Sequence, residues 1–292
     1  MLQDLAFGKL DNAFHDQLPT PEDVVICVRQ GGILLHRDAD ESLQLPRWYQ
    51  VEVWAKDWTR WSEKSLQYVF CMQGTNYFLW MGSAGECPEP AFHYEQARTL
   101  RQLRSKEICF AAMTAWHLYH WYRSNRFCGC CGTATVHDDK ERMMRCPNCG
   151  NMIFPRISPA VIIAVTNGDR LLLSKYAGRS YTRYALLAGY TEIGETLEQT
   201  VSREVMEEVG LKVKKIRYYK SQPWGVDGNV LMGFYCDLDG SDSIHLDETE
   251  LALAQWFPRE NIPAQDDGIS LTREMIRIFS EGKEPKGNQN ER

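Results

Sequence analysis

The chain has 292 residues, 43% of them hydrophobic and 25% charged, with a formal charge of −6 and ten cysteines. That balance allows two domains with a sizeable core and a small third one between them, and the acidic excess argues against a general polyanion-binding surface while leaving room for a local basic groove. The start, M-L-Q-D-L-A-F-G-K-L-D-N, has acids early and no apolar h-region, and no apolar run approaches the length of a membrane span. Cysteines without an export signal point to a reduced, cytoplasmic setting instead of a disulfide framework.

Taken in order, residues 24–36 read as two strands joined at Gly31-Gly32, and Tyr68–Met72 and Tyr77–Met81 as a second pair flanking the turn Q-G-T-N. Between the pairs lies a segment rich in tryptophan, with Trp48, Trp54, Trp58 and Trp61. Segments 91–104 and 106–123 read as helices, the second dense with aromatics. Seven of the nine tryptophans precede residue 124, so this half carries a packed core or an interface, and a homodimer is expected. His117 and His120 sit three apart on the second helix and read as core or interface residues, since no third ligand is near.

Residues 128–149 change character. C-G-C-C-G and C-P-N-C-G stand fourteen residues apart, counted between Cys131 and Cys146. Two such knuckles aim four thiolates at one tetrahedral ion, so Cys128, Cys131, Cys146 and Cys149 are the expected zinc ligands. Cys130 is left out, because only the 128/131 choice puts a glycine after the second cysteine of both knuckles. Four thiolates leave no open position, which makes this zinc structural.

After Pro155 the chain reads as a sheet again, beginning with a hairpin over 160–174 around Asn167-Gly168. Further strands are expected near 184–188, 213–221, 230–238 and 253–257, then a helix near 270–281 and a polar tail. Within this half, G-Y-T-E-I-G-E-T-L-E-Q-T-V-S-R-E-V-M-E-E-V-G-L at 189–211 reads as loop, capped helix and glycine stop. Glu204, Glu207 and Glu208 fall at i, i+3 and i+4 and share one face. Like charges so placed call for a cation between them, and hard oxygen ligands suit Mg²⁺ or Mn²⁺.

Gly189, Glu195, Arg203, Glu204, Val205, Glu207, Glu208, Gly210 and Leu211 together resemble the Nudix box. With the ribbon before it, F-P-R-I-S-P-A at 154–160, S-Q-P-W at 221–224 and L-M at 231–232, the chain resembles the NADH pyrophosphatase family of zinc-containing Nudix hydrolases. The resemblance is strong over 125–260 and weak over the first hundred residues. It implies an α+β chain: a mixed α/β N-terminal domain over 1–124, a zinc ribbon over 125–155, and a Nudix α/β/α sandwich over 156–292. It also implies cleavage of the NADH pyrophosphate to reduced nicotinamide mononucleotide and AMP, and for some members removal of the NAD cap from RNA.

By matching position, Glu204 and Glu208 bind the catalytic metal, Glu207 shares the cluster, the Ala188 carbonyl adds a ligand, and Arg203 orients the acids. Glu250 matches a further metal-binding or base-like glutamate, and Glu141 an acidic substrate contact. Phe154 and Tyr190 occupy aromatic positions suited to stacking. The base is left open among Glu207, Glu208 and Glu250. The segment Gln222, Pro223, Trp224, Gly225, Val226, Asp227, Gly228 and Asn229 is expected to touch substrate, but it departs from the family's S-Q-P-W-P-F-P-x-S. Glycine and aspartate in place of proline imply a flexible acidic loop, which bears on the choice of dinucleotide. Two other readings stay open: a hydrolase of ADP-ribose or a dinucleoside polyphosphate, and an inert binding protein, against which the complete set of box carboxylates argues.

Overall fold

A computed structural model describes residues 1–4, 10–29, 31–38, 42–58, 65–82, 84–96, 100, 105–178, 183–263 and 268–286. The chain divides into two units, one made of Gln3–Arg156 with Trp224–Gly228, the other of Met1–Leu2, Ile157–Pro223 and Asn229–Arg292.

In the first unit the elements are β1 (Leu10–Asp11), β2 (Val24–Arg29), β3 (Gly32–Arg37), β4 (Leu43–Gln44), α1 (Trp48–Trp58), β5 (Leu66–Met72), β6 (Thr75–Trp80), β7 (Phe92–Gln96) and α2 (Lys106–Ser124). They are followed by the short ribbon strands β8 (Val136–His137), β9 (Met144–Arg145) and β10 (Met152–Ile153). The larger sheet runs β1-β5-β6-β2-β3-β4, with β7 added to β3. Its β5–β6 hairpin turns at Gln73 and Gly74, both at positive φ (55° and 78°), the backbone that a two-residue turn between right-twisted strands requires.

The tryptophan-rich segment folds as α1, which buries Trp48, Val51, Trp54 and Ala55 against Val25, Cys27, Leu34, Phe78 and Trp80. Trp61 lies outside the described residues. The helix expected over 91–104 is corrected in its first part: Phe92–Gln96 is a strand paired antiparallel to β3, and 97–99 and 101–104 lie outside the described residues. Helix α2 forms as expected, started by Ser105, whose hydroxyl accepts from the Ile108 amide. His120 is exposed on it and meets Trp116 edge to face at 4.3 Å, while His117 is hydrogen-bonded to the Arg156 carbonyl at 2.7 Å. Arg142, from the stretch between the knuckles, donates to the Val69 carbonyl and to Asn12, which ties the ribbon to the larger sheet.

The second unit holds β11 (Ser158–Asn167), β12 (Arg170–Tyr176), β13 (Leu187–Tyr190), α3 (Leu197–Val209), β14 (Val213–Trp224), β15 (Asn229–Leu238), β16 (Leu251–Pro258) and α4 (Leu271–Ser280). The sheet order is β14-β15-β11-β12-β16, with β13 also on β11, and β11 and β15 run parallel. Strand alternation sorts its side chains between two cores. Val161, Ile163 and Val165 pack with Val201, Val205 and Val209 of α3. Ile162, Ala164, Leu171 and Leu173 pack with Leu271, Met275, Ile276 and Phe279 of α4. Helices on both faces of one sheet make the expected α/β/α sandwich, and each fully buried Val, Leu or Ile contributes roughly 1.5–3 kcal/mol to it.

Candidate functional site: an acidic helix and a four-thiolate knuckle

Helix α3 is closed at both ends by its own sequence. Thr196 accepts from the Gln199 amide while the Gln199 side chain accepts from the Thr196 amide, a complete capping box. At the other end Gly210 adopts φ 67°, and a Cβ there would lie 2.8 Å from that of His245. With Val201, Val205 and Val209 fixed in the core, the acidic face is aimed by default. Glu204 and Glu208 are buried on it, whereas Glu207 is exposed.

Arg203 threads this cluster. Its Nη1 donates to Glu204 at 2.8 Å and Glu207 at 2.9 Å, its Nε and Nη2 clamp Glu195 at 2.6 and 3.0 Å, and Nη2 also reaches the Tyr190 carbonyl at 2.9 Å. The guanidinium beside Glu195, with the Glu192 amide and the Thr200 hydroxyl, holds that carboxyl down at about 2. Glu204 is moved the other way: burial raises its pKa, and the charges of Glu207 and Glu250 add to the rise against the opposing pull of Arg203. A carboxyl pushed up by burial and by like charges is one that a cation would return to its ionised form.

Gly189 explains how close that carboxyl comes to the sheet. A Cβ at Gly189 would sit 1.9 Å from Cδ of Glu204 and about 2 Å from both its oxygens, so the carboxylate occupies the space where any other residue has a side chain. Ala188, whose carbonyl is the expected backbone ligand, precedes it on β13 opposite Ile162. Glu250 enters just before β16, in a turn where the Asp247 carbonyl accepts from the Glu250 and Leu251 amides. The Asp247 amide itself bonds the Glu208 carbonyl at 3.0 Å, so the turn bearing Glu250 is laced to the last turn of α3. All donors in this group are hard oxygens, which fits Mg²⁺ or Mn²⁺ and not a thiophilic ion.

Tyr190 is 52% exposed, yet held at both ends, by Arg203 at its carbonyl and by Asn229, which accepts from its hydroxyl at 3.2 Å. Gln222, fully buried, bonds the Ile269 carbonyl and the Leu271 amide at 2.7 Å each. The segment between these anchors, Trp224–Gly228, belongs to the other unit, as do Glu141 and Phe154, both exposed. The expectation of a loose loop is corrected. Gly225 is there because a Cβ would strike the Met113 carbonyl oxygen at 2.2 Å, and Asp227 accepts from the Trp224 indole at 3.0 Å instead of standing free. Arg203 meets Glu204 and Glu207 as the resemblance implies, whereas its clamp on Glu195 and the Tyr190 carbonyl, the Asn229 hydrogen bond and this indole bond were not found from sequence, because no spacing rule joins those positions.

In the ribbon, the Sγ atoms of Cys128, Cys131, Cys146 and Cys149 lie within 4.8 Å of one another. Cys128–Cys149 and Cys131–Cys146 are 3.6 and 3.4 Å apart, near the ~3.8 Å edge of a tetrahedron with zinc–sulfur bonds of about 2.3 Å. The two knuckles repeat one backbone pattern. Gly132 and Gly150, each at φ 73°, donate to the carbonyls of Cys128 and Cys146, and the amides of Cys128 and Cys146 donate to those of Thr133 and Asn151. The Cys130 amide donates to Cys128 Sγ at 3.4 Å, a bond that lowers that thiol's pKa. Cys130's own thiol lies outside the group.

Two family models match the chain: the NADH pyrophosphatase zinc ribbon domain over residues 123–154 and the NUDIX domain over 156–278. A protein of Pectobacterium atrosepticum called NAD-capped RNA hydrolase NudC is 40% identical over 180 residues, 61% of this chain and 69% of that one. A Chromobacterium violaceum protein of the same name is 36% identical over 205 residues, 70% of this chain and 77% of that one. For one from Photobacterium profundum the match is 42% identical over 162 residues and spans 60% of its length. Among solved structures, a NUDIX hydrolase from Nitrosomonas europaea aligns with a TM-score of 0.46 at 24% identity, covering 53% of this chain and 91% of that one.

Proposed function

The chain belongs to the zinc-ribbon Nudix hydrolases of the NADH pyrophosphatase family, and from that premise we propose that it hydrolyses the pyrophosphate of NAD(H) to nicotinamide mononucleotide, reduced when NADH is the substrate, and AMP. Removal of NAD caps from RNA is the same bond cleavage on a longer substrate, and the names of the bacterial relatives support it. The observation that carries the chemistry is the α3 face, where Glu204 and Glu207 meet at Arg203 Nη1 and Glu208 lies buried one turn on from Glu204.

Glu204, Glu208, Glu207, Glu250 and the Ala188 carbonyl would hold Mg²⁺ or Mn²⁺, which neutralises charge on the diphosphate and makes water a stronger nucleophile. The residues do the rest. Arg203 keeps the carboxylates from repelling one another out of register and, through Glu195 and the Tyr190 carbonyl, locks the loop to the helix. One of Glu207, Glu208 and Glu250 takes the proton from the attacking water. Tyr190, with its ring exposed and both ends tied, offers a flat surface for a base or nicotinamide. Glu141, Phe154, Pro223, Trp224, Val226 and Asn229 complete the substrate-contacting set, while buried Gln222 anchors the segment and Gly225, Asp227 and Gly228 shape it. The altered segment 225–227 makes ADP-ribose the substrate to test as the alternative.

Gly189→Ala tests the seat of Glu204. Its Cβ displaces the carboxylate, and a shift of about 1 Å in a catalytic group lowers kcat on the order of 10²-fold. Steady-state kinetics beside a melting curve measure this; unchanged kcat in a folded variant would show that Glu204 is not held there for catalysis.

The ten cysteines are unpaired by disulfides and four of them are gathered for a metal, a use of thiols in keeping with a cytoplasmic setting. Tyr49 and Val53, 50% and 60% exposed on α1, support a homodimer built on the tryptophan-rich half. Light scattering at micromolar concentration should give twice the chain mass of 33.7 kDa, and a monomeric mass would refute the dimer.

A further inference from the structure

The five residues Trp224–Gly228 belong to the same unit as Gln3–Arg156. Both flanks are anchored before and after the segment, at Gln222 through the Ile269 carbonyl and the Leu271 amide, and at Asn229 through the Tyr190 hydroxyl. Between them the segment lies against α2 as closely as two backbones allow. A Cβ on Gly225 would be 2.2 Å from the Met113 carbonyl oxygen and 2.8 Å from its carbon. One on Gly228, at φ 69°, would be 3.1 Å from His117 Nε2. That nitrogen is 2.7 Å from the Arg156 carbonyl, so His117 donates there and its ring has a fixed place beneath the segment. Met113 is itself buried, which leaves α2 little room to yield.

Inside the segment, Trp224 Nε1 donates to Asp227 Oδ2 at 3.0 Å. An indole has one donor and no acceptor, so this bond satisfies its polar atom and leaves only ring faces to meet a ligand. Asp227 therefore does not stand as a free negative charge beside an anionic substrate; it fixes the side chain three residues before it. A loop so tied loses little conformational freedom when substrate binds.

We propose that helix α2 seats the segment Trp224–Gly228 for substrate, with Asp227 as the positioning residue that holds the Trp224 ring as a stacking surface for a planar base. Met113 and His117 thereby bear on how the segment is held, without touching the reacting atoms. The proposal rests on the functional reading above, in that Trp224 is taken to meet the substrate.

Three variants test it: Asp227→Ala, which removes the acceptor; Asp227→Asn, which keeps an oxygen acceptor; and Gly225→Ala, whose Cβ cannot coexist with the Met113 carbonyl at the present spacing. KM and kcat are measured for NADH and NAD⁺, beside melting curves. Asp227→Ala should raise KM about fivefold, the loss of one hydrogen bond, with kcat little changed. Asp227→Asn should restore KM, and Gly225→Ala should raise it. Should Gly225→Ala fail to fold, the two Asp227 variants decide the matter. An unchanged KM in Asp227→Ala, or a fall in kcat alone, overturns the proposal. If the wild type cleaves ADP-ribose and not NAD(H), the substrate reading has failed by itself, and the same KM comparison made on ADP-ribose upholds or overturns the seating.

Discussion

Replacing Glu208 by glutamine should lower kcat by at least ~10³-fold, because the residue proposed as metal ligand and as one of three candidate bases is lost at once, while the melting temperature holds or rises. The two halves of that result have one cause. Glu208 is only 3% exposed on the α3 face it shares with Glu204 and Glu207, so its charge is carried at the expense of stability. Burying a carboxylate beside two like charges is unfavourable, and glutamine keeps the shape while removing the charge. The backbone is unaffected, since the Asp247 amide bonds the Glu208 carbonyl and not its side chain. A variant that melts earlier and turns over normally would show that Glu208 is a structural residue.

Loss of zinc should have the second large effect, and it should fall on folding before chemistry. The four sulfurs are held by two short knuckles, and β8, β9 and β10 are each two residues long. Such strands bury too little to stand alone, so the metal supplies most of the free energy that folds them, roughly 10–16 kcal/mol in comparable peptides. Protein purified without added metal should contain one zinc per chain, and Cys146→Ser should lose it and melt at lower temperature. The change should reach the larger sheet through Arg142, whose bonds to Val69 and Asn12 depend on the fold of the stretch between the knuckles. Zinc-free protein with unchanged stability would refute a structural site.

What could be read from the residues was whatever is encoded locally. Thr196, Gln199 and Gly210 carry the limits of α3 in their own chemistry, and the valines every fourth residue declare its buried face. The knuckles were legible for the same reason, since each is closed by a glycine at positive φ within its own five residues. Helix α1 was not. Its apolar positions Trp48, Val51, Trp54 and Ala55 follow helical spacing, but aromatic and β-branched residues are poor helix formers, and the helix depends on the sheet it covers. In Phe92–Gln96 the error ran the other way, because the Ala, Glu, Gln and Arg around it favour a helix while pairing with β3 makes a strand. At the site, the carboxylate spacing was visible, whereas Gly189 against Glu204, Tyr190 against Asn229 and Gly225 against Met113 join residues that are brought together only by the fold.

The most direct measurement is to incubate the purified protein with NADH and Mn²⁺ and separate the products, with the Glu208→Gln variant as the control. Equimolar reduced nicotinamide mononucleotide and AMP, absent in the variant, is the expected result. Intact NADH beside cleaved ADP-ribose, or release of free nicotinamide with the pyrophosphate unbroken, would contradict it.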